Sequence, residues 1–570
     1  MTHTDPTVSQ RADHPPATTA AERVRELIAR FDAPDACVAE LLCDRHPADA
    51  VAFTVVEPDL SARDLTYGWL SRESARFAAA LADLGVGPGD AVAVLMGKSA
   101  DLLVALLGIW RRGAVHVPLF TAFAPPAIAL RLAASAARVV VVDRDQRPKL
   151  DPGQDIPADP PWRVVVADGQ AGGSGARDAG GGDLSFSGLL AAHRGDEPGA
   201  APVTRGGDAE FVRLFTSGTT GTPKGVPVPV RALASFRAYL ELGLDVRPDD
   251  VFWNAADPGW AYGLYYAILA PMAAGRRGLL LHAGFSPALT WDVMAEFGVT
   301  NFAAAPTVYR ALRGADVPVP DGVRLRAASS AGEPLTPEVV SWAEEVLGTT
   351  VRDHYGQTEH GMVIVNGWAD AVRAPVRPGS MGEVMPGWSA QVLLDDRDEP
   401  APAGTTGRVA LRVDESPLMW FTHYADAPER TAERFSADGR WYLTGDSGSR
   451  DEDGHFYFAA RDDDVIIMAG YRIGPFDVES ALLRHELVAE AAVVGAPDEL
   501  RGEVVEAHVV LRPGAVGDQA LADELRDLVR TRFAAHAYPR TVHFTESLPK
   551  TPSGKIQRYL LRKGSADGRG

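Results

Sequence analysis

The sequence predicts an α/β protein with a large N-terminal domain of α/β subdomains, a small β-rich subdomain, and a small α+β C-terminal domain. Short apolar runs alternate with amphipathic helical patterns as far as Glu383, which favours parallel α/β units. After about Met385 the pattern changes to short strands, and from Asp463 onward strands and a helix recur. We therefore place the domains at residues 21–462 and 463–570, after a polar tail at residues 1–20 that is expected to be disordered.

The first elements predict a parallel βαβ unit. Leu65–Leu84 reads as one amphipathic helix, and the strand Ala91–Met96, the helix Ala100–Arg112 and the strand Val115–Leu119 follow. Arg138–Asp143 and Trp162–Asp168 supply further apolar strands, whereas the Gly-rich segment Gly169–Asp183 reads as a flexible insertion.

Later elements of the sequence predict the β-rich subdomain and the C-terminal domain. The β-rich subdomain is predicted from four strands: Ala390–Leu394, Gly407–Val413, Trp441–Leu443 and His455–Ala459. The C-terminal domain is predicted from the strands Ala489–Gly495 and Val504–Leu511, the helix Ala520–Ala535 and the strand Thr541–Phe544.

Composition excludes several classes of function. The chain has 570 residues, 46% of them hydrophobic, and a formal net charge of -20, which argues against a general nucleic-acid binder. Cys37 and Cys43 have no zinc-type spacing, so we expect them to be packing residues. The N-terminus lacks a signal-peptide pattern, and the longest apolar stretch, Ala100–Val117, carries Asp101 and two arginines. We expect a cytoplasmic protein without a membrane span.

A loop of small, hydroxyl-bearing residues follows the apolar strand that ends near Phe215. Glycines allow backbone amides to face an anion, hydroxyls add donors and a lysine adds charge, so the loop predicts a polyphosphate cradle. Its residues are Thr216, Ser217, Gly218, Thr219, Thr220, Gly221 and Lys224. It is not a Walker loop, because Pro223 precedes the lysine, and Gly97-Lys98-Ser99 also fails because Val92 replaces the first glycine. A flexible hairpin without a ligand is the structural alternative.

The loop resembles the signature loop of the adenylate-forming superfamily, which includes acyl-CoA synthetases, peptide-synthetase adenylation domains and luciferases. The resemblance runs from about Leu65 to Arg562 and is nearest to acetyl- and medium-chain acyl-CoA synthetases. It implies that the chain uses ATP, Mg²⁺ and coenzyme A as cofactors or co-substrates. A carboxylic acid would become an acyl-adenylate with release of pyrophosphate, and the acyl group would then pass to coenzyme A.

Two further segments resemble the superfamily's nucleotide pocket. Gly332, Glu333 and Pro334 match the segment that lies on one face of the adenine. Tyr355 would cover the other face, which suits an aromatic ring. The resemblance also implies that Thr358 and Glu359 are catalytic, with Thr358 on a phosphate and Glu359 holding magnesium. The same stretch adds nucleotide-binding residues: Asp353, Gly356 and Gln357.

Asp446 matches the superfamily aspartate that grips both ribose hydroxyls, and Arg461 matches an arginine that contacts the ribose. A carboxylate is a suitable acceptor for a diol. The alternative for Asp446 is a structural role in a turn after Gly445.

The end of the chain resembles the superfamily's hinge and mobile C-terminal domain. Asp463 occupies the hinge position, although three consecutive aspartates also fit a solvated turn. Gly470 would line the path of the pantetheine chain and Arg472 would lie near phosphates. Lys555 matches the catalytic lysine. Two departures from the pattern, Ala460 and Ile467–Ala469, fall near the expected thiol path.

The resemblance places the acyl pocket at Trp260, Tyr262, Gly263 and Gly356. Acetate-restricted relatives carry Trp in place of Gly356, so a larger pocket is expected, with a medium-chain acid as first choice and an aryl or other bulky acid as second. Trp260 and Tyr262, together with Tyr265 and Tyr266, would line this slot or would instead be core aromatics.

Three functions remain open at this point. The chain would transfer the acyl group to coenzyme A, load a carrier protein or stop at the adenylate, or bind a nucleotide without catalysis. The partners expected are the acid, ATP and coenzyme A. Oligomeric state is not set by the sequence, and a homodimer is compatible with it.

Overall fold

The computed structural model describes residues 19–167, 182–216, 223–315, 317–461, 464–468, 471–498, 501–532, 534, 537–550 and 555–567. Most of the predicted tail lies outside these residues. Thr19 and Ala20 lie within them and begin the first helix, where Thr19 and Glu22 form a reciprocal capping box.

The helices and strands of the described residues alternate along most of the chain. The helices are α1 (Ala20–Phe31), α2 (Tyr67–Asp83), α3 (Ala100–Arg111), α4 (Pro125–Ser135), α5 (Phe186–Ala192), α6 (Ala232–Ala238), α7 (Ala261–Gly263), α8 (Ala270–Ala274), α9 (Pro287–Glu296), α10 (Pro306–Gly314), α11 (Pro337–Val346), α12 (Pro428–Ala432), α13 (Pro475–Leu482), α14 (Gln519–Arg532) and α15 (Arg558–Asp567). The strands are β1 (Val51–Val56), β2 (Ala62–Thr66), β3 (Ala91–Leu95), β4 (Val115–Pro118), β5 (Val139–Asp143), β6 (Arg163–Ala167), β7 (Leu184–Ser185), β8 (Glu210–Thr216), β9 (Lys224–Pro229), β10 (Phe252–Asn254), β11 (Gly278–Leu281), β12 (Asn301–Ala304), β13 (Ala327–Ala331), β14 (Val351–Gln357), β15 (Gly361–Val365), β16 (Ser380–Val384), β17 (Ala390–Leu393), β18 (Gly407–Arg412), β19 (Trp441–Arg450), β20 (Phe456–Arg461), β21 (Ile466–Met468), β22 (Tyr471–Ile473), β23 (Val488–Asp498), β24 (Gly502–Leu511) and β25 (Thr541–Phe544).

The N-terminal sheet has the strand order β7-β6-β5-β3-β4-β8-β9. Its inner strands are parallel and are buried on both faces, as their uninterrupted valine and alanine runs predict. The predicted βαβ unit is confirmed as β3, α3 and β4. Only the last pair, β8 and β9, is antiparallel, and it carries the predicted phosphate loop between its strands.

The central sheet has the order β17-β18-β19-β20-β16-β15-β14-β13-β12-β10-β11-β1-β2. Its parallel part, β1-β11-β10-β12-β13-β14, continues without a break into the antiparallel strands of the predicted β-rich subdomain. Strand β16 makes the connection, because it pairs with β15 on one side and β20 on the other. The N-terminal and central sheets share one apolar core, to which Val94, Val212 and Phe252 belong.

The C-terminal sheet has the order β22-β21-β24-β23, with β25 pairing beside β24. It has a separate core, packed by α13 and α14, that includes Val493, Val505 and Leu525. The C-terminal domain also touches the rest of the chain. The ring of Phe476 on α13 packs against Phe458 on β20, with ring centroids 6.3 Å apart.

One predicted element begins in the wrong place. Leu65 belongs to β2, which pairs antiparallel with β1, and the helix starts only at Tyr67. Thr66 terminates the strand and caps the helix, because its hydroxyl accepts a hydrogen bond from the Trp69 amide. Both predicted packing cysteines, Cys37 and Cys43, are buried. No described helix combines the length and the apolar character needed to cross a bilayer.

Candidate functional site

The predicted phosphate loop is closed by a pair of strand residues. Thr216 at the end of β8 lies opposite Lys224 at the start of β9. The intervening predicted residues, Ser217, Gly218, Thr219, Thr220 and Gly221, lie outside the described part of the chain. The Lys224 ammonium lies 4.9 Å from the ring centre of Tyr424, a cation–π distance. Desolvation and the charges of Arg434 and Arg430 lower the pKa of Lys224.

Glu359 lies buried beside these cations. Its Oε1 accepts a 2.7 Å hydrogen bond from the Tyr424 hydroxyl, which in turn accepts one from Arg434. Arg434 also donates to the Thr444 carbonyl, at 2.9 Å. Glu359 raises the pKa of Lys224, although less strongly than desolvation and the two arginines lower it. The predicted magnesium residue and the predicted phosphate lysine are therefore in electrostatic contact.

Asp446 contacts the predicted nucleotide segment around Tyr355. Its Oδ2 accepts hydrogen bonds from the Tyr355 hydroxyl at 2.6 Å and from the Gln357 amide at 2.7 Å. It lies within β19, directly opposite Arg461 on β20, so it is a strand residue and not part of a turn. Burial, followed by the charge of Asp446, raises the pKa of Tyr355.

Glu333 and Asp353 lie at the carboxyl end of the parallel strands. Gly332 adopts a positive φ of 104° just after β13, and Glu333 then accepts hydrogen bonds from Thr307 and, at 2.9 Å, from Arg310. Asp353 lies on β14, where burial raises its pKa to about 8. The carboxyl end of parallel strands is where α/β sheets place ligands, so this location suits a nucleotide.

Lys555 comes from the C-terminal domain and reaches this same cleft. Its ammonium is influenced by the carboxylates of Glu333, Asp446 and Glu359 and by the guanidinium of Arg461. Desolvation is the largest influence and lowers the pKa of Lys555, although part of the residue is exposed to solvent. The structure thus brings the predicted catalytic lysine to the predicted metal and ribose residues.

The hinge residue and the pantetheine residue are not described. Asp463 and Gly470 lie outside the described chain, as does the side chain of Arg472. The next residue after the hinge position, Asp464, pairs with Arg558 and Arg562 at the start of α15. Arg558 also donates to Glu479 at 2.8 Å, so α15 and α13 are tied together.

The four predicted pocket aromatics divide into two pairs. Tyr265 and Tyr266 are core residues: Tyr265 stacks on Phe236, and the Tyr266 hydroxyl accepts from the Met362 amide at 2.9 Å. Trp260 and Tyr262 are only partly buried. Trp260 packs against two further aromatic rings, at centroid distances of 5.6 and 5.4 Å: Phe120 and Phe123.

The two pocket glycines are required by the backbone. A Cβ atom at Gly263 would lie 2.1 Å from the Asp257 carbonyl oxygen, and one at Gly356 would lie 2.1 Å from the Gly361 carbonyl oxygen. Gly356 sits at an irregularity in the pairing of β14 with β15, which brings that carbonyl close. The expectation that Gly356 leaves room in the pocket is therefore not supported, because the direction of a side chain there is filled by backbone.

Replacing Gly356 with alanine is expected to destabilise the protein by about 1–3 kcal/mol, because Cβ would collide with main-chain atoms. Denaturant unfolding of the whole chain measures the change. Gly314→Ala is the matched control, because no atom lies within 4 Å of a Cβ built at Gly314. Equal stability of the two variants would show that position 356 faces open space.

Four site residues were not found by sequence reasoning: Tyr424, Arg434, Thr307 and Arg310. Tyr424 follows a run of aromatic residues. An isolated bridge between Ala425 and Gly225 holds its segment against the β8–β9 hairpin. The aromatic run was a usable signal for Tyr424. The other three are ordinary polar residues in sequence and become site residues only through folding.

Comparisons with known proteins agree with this geometry. The sequence matches the AMP-binding enzyme family over residues 40–415 and the AMP-binding enzyme C-terminal domain over residues 477–555. It is 35% identical over 508 residues to an acetyl-coenzyme A synthetase of Bacillus subtilis, covering 87% of this chain and 84% of the relative. The crystal structure of a Brucella canis acyl-CoA synthetase is 42% identical, with a TM-score of 0.71, and covers 97% of this chain and 99% of that one.

Two crystal structures of MatB from Rhodopseudomonas palustris also match, each with 26% sequence identity to this chain. Each covers 97% of this chain and 100% of its own. The ATP-bound form has a TM-score of 0.79, and the apo form has 0.69. The chain therefore belongs to the AMP-binding enzyme family, within the adenylate-forming superfamily, as an AMP-forming carboxylate–CoA ligase.

Proposed function

We propose that this chain converts a carboxylic acid larger than acetate into an acyl-adenylate, releases pyrophosphate, and transfers the acyl group to coenzyme A. A medium-chain acid is the first candidate and an aryl or bulky acid the second. One observation carries the proposal: Lys555, from the C-terminal domain, lies in the cleft where Glu333, Glu359 and Asp446 act on its charge. A lysine that a separate domain brings to a nucleotide cleft suits a reaction whose two steps need different arrangements of the two domains.

The first step needs positive charge more than it needs a base. The acid is already ionised near neutral pH, and its carboxylate is repelled by the phosphates that it must attack. Lys555 would lie between the carboxylate and the α-phosphate. Lys224, and Arg434 behind Tyr424, would stabilise the charge that develops on the leaving pyrophosphate.

The nucleotide would be held from two sides. Tyr355 and the Gly332–Pro334 segment would hold the adenine, and Asp446 would accept the ribose hydroxyls. Asp446 accepts a hydrogen bond from the Tyr355 hydroxyl, so the residues proposed for the ribose and for the adenine are in direct contact. Arg461, opposite Asp446 in the sheet, would contact the ribose from the adjacent strand.

Glu359 fits a magnesium ion by its chemistry. It offers a buried carboxylate next to the hydroxyl-bearing Thr358, and Mg²⁺ prefers such oxygen ligands. The Tyr424 hydroxyl orients one carboxylate oxygen of Glu359. When bound, the ion would neutralise phosphate charge, while Lys224 and Lys555 hold the two ends of the reacting group.

The second step needs a thiol near the acyl carbon. We propose that the C-terminal domain turns at Asp463, withdraws Lys555 and brings Gly470 and Arg472 to the cleft. One domain would then supply two sets of residues in sequence, which explains why the catalytic lysine is not on the N-terminal domain.

The proposed size of the acid is argued from the aromatic residues of the predicted acyl pocket. Trp260 and Tyr262 remain partly exposed, and Phe120 and Phe123 extend the apolar surface beside Trp260. A surface of this kind suits an alkyl chain or an aromatic ring and offers little to acetate. Gly356 adds nothing to this argument.

An acid panel read by pyrophosphate release, with and without coenzyme A, tests the proposal. We expect hexanoate or benzoate to exceed acetate in kcat/KM by about tenfold or more, since each buried methylene contributes about 0.8 kcal/mol. AMP formation should then become dependent on coenzyme A. A clear preference for acetate would overturn the proposed acid class. Pyrophosphate release without thioester formation would overturn coenzyme A as acceptor and point to a carrier protein.

A further inference from the structure

Three side chains on one face of the C-terminal sheet have no part in the proposed reaction. Glu506 and His508 lie on β24, and His543 lies directly opposite His508 on the parallel strand β25. Ala507 and Val509 belong to the apolar core of this domain. Because side chains alternate along a strand, Glu506 and His508 project from the opposite face. We call these residues the Glu506–His508–His543 cluster.

The cluster brings two imidazoles and a carboxylate together. One donor atom from each residue lies within 4.8 Å of the other two. The Nε2 atom of His543 is 3.4 Å from a carboxylate oxygen of Glu506, and the two histidine rings stack with centroids 4.8 Å apart. These are the ligand types of mixed histidine–carboxylate zinc sites.

The distances need only a small adjustment to accept an ion. Zinc lies about 2.0–2.2 Å from nitrogen and oxygen ligands, which spaces tetrahedral donors by roughly 3.4 Å. The widest donor pair would therefore approach by at most roughly 1.4 Å. The His543 side chain is 42% exposed, so it has room to rotate and leaves a path for an ion from solvent.

One buried atom in the cluster points to a ligand. Glu506 is only 2% exposed and has further interactions of its own, so the argument rests on His508. The Nε2 atom of His508 is buried and has no hydrogen-bond partner among the described residues. An orphaned imidazole nitrogen next to a buried carboxylate is expected where an ion binds.

We propose that Glu506, His508 and His543 bind a divalent transition-metal ion of the zinc class, with water completing its coordination. The ion would join β24 to β25. The chain continues from β25 through Thr545, whose amide donates to the Val509 carbonyl, toward the segment that carries Lys555. The site would thus stabilise the support of the catalytic lysine without contacting substrate.

Zinc binding to the tag-free full chain, after removal of metal with EDTA, tests the site. Competition with a chromophoric chelator and elemental analysis should give one tightly held Zn²⁺ per chain. Added ZnCl₂ should raise Tm by about 5 °C. His508→Gln and His543→Gln should each weaken binding by about 100-fold and remove the Tm shift.

His485→Gln is the matched control, because His485 pairs with Glu524 elsewhere in the same domain, at 3.3 Å. It should keep both the bound ion and the Tm shift. If His508→Gln misfolds, the more exposed His543→Gln gives the answer alone, with circular dichroism confirming its fold. Zinc held equally by wild type and His543→Gln, or no Tm shift in wild type, overturns the proposal.

Discussion

Replacing Lys555 with alanine is expected to reduce adenylate formation by about 100- to 1000-fold, the range for removing one preorganised charge from a reacting centre. The ammonium is within electrostatic range of Glu333, Asp446 and Glu359, so its loss leaves the cleft with excess negative charge where phosphates and a carboxylate must meet. Acid-dependent pyrophosphate release measures the effect.

Thioester formation from a supplied acyl-adenylate should change by less than about threefold in the same variant, because Lys555 would act in the first step alone. Lys550→Ala is the matched control, because it removes an ammonium group from the same chain segment. Lys550 pairs with Glu490 at 2.5 Å. It should keep both half-reactions. Equal loss of the two half-reactions in Lys555→Ala would refute the division of labour between the two arrangements of the C-terminal domain.

Replacing Glu359 with glutamine is expected to lower pyrophosphate release by a similar factor, about 100- to 1000-fold. The substitution keeps the shape of the side chain but removes the negative charge that offsets Arg434 and Lys224. The magnesium concentration for half-maximal activity should also rise by about tenfold or more. A magnesium titration at saturating ATP measures both changes.

Two further variants separate the roles of charge and hydrogen bonding at Glu359. Tyr424→Phe removes the donor to Glu359 but keeps the carboxylate, so a loss of only about tenfold is expected. Glu415→Gln removes the same charge from an exposed position and should have no effect. If Glu359→Gln kept wild-type magnesium dependence, the assignment of the metal to Glu359 would be wrong.

The fold was largely predictable because the inner strands of the N-terminal sheet are buried on both faces. Uninterrupted apolar runs such as Ala91–Met96 and Arg138–Asp143 leave little choice of structure. The start of α2 was missed because Leu65 fits a strand and a helix equally well. The pairing of β2 with β1, a tertiary contact, decides between them.

The site was predictable where one segment carries several functional groups. Tyr355, Gln357 and Glu359 are close in sequence, and two of them, Tyr355 and Gln357, donate hydrogen bonds to Asp446. Tyr424 and Arg434 reach Glu359 only because their segment folds against the β8–β9 hairpin. The surroundings of Gly356 were misjudged because the direction of its missing side chain depends on the pairing of β14 with β15.

The ion pairs of Asp464 have a consequence for any movement of the C-terminal domain. Arg461 is fixed in β20 by its register with Asp446, whereas Asp464 is fixed to α15 by Arg558 and Arg562. A rotation that preserves both attachments must alter the hydrogen bonds that the amides of Asp464 and Val465 donate to the Arg461 carbonyl, at 2.9 and 3.1 Å. These two hydrogen bonds give the connection between the domains a defined starting geometry.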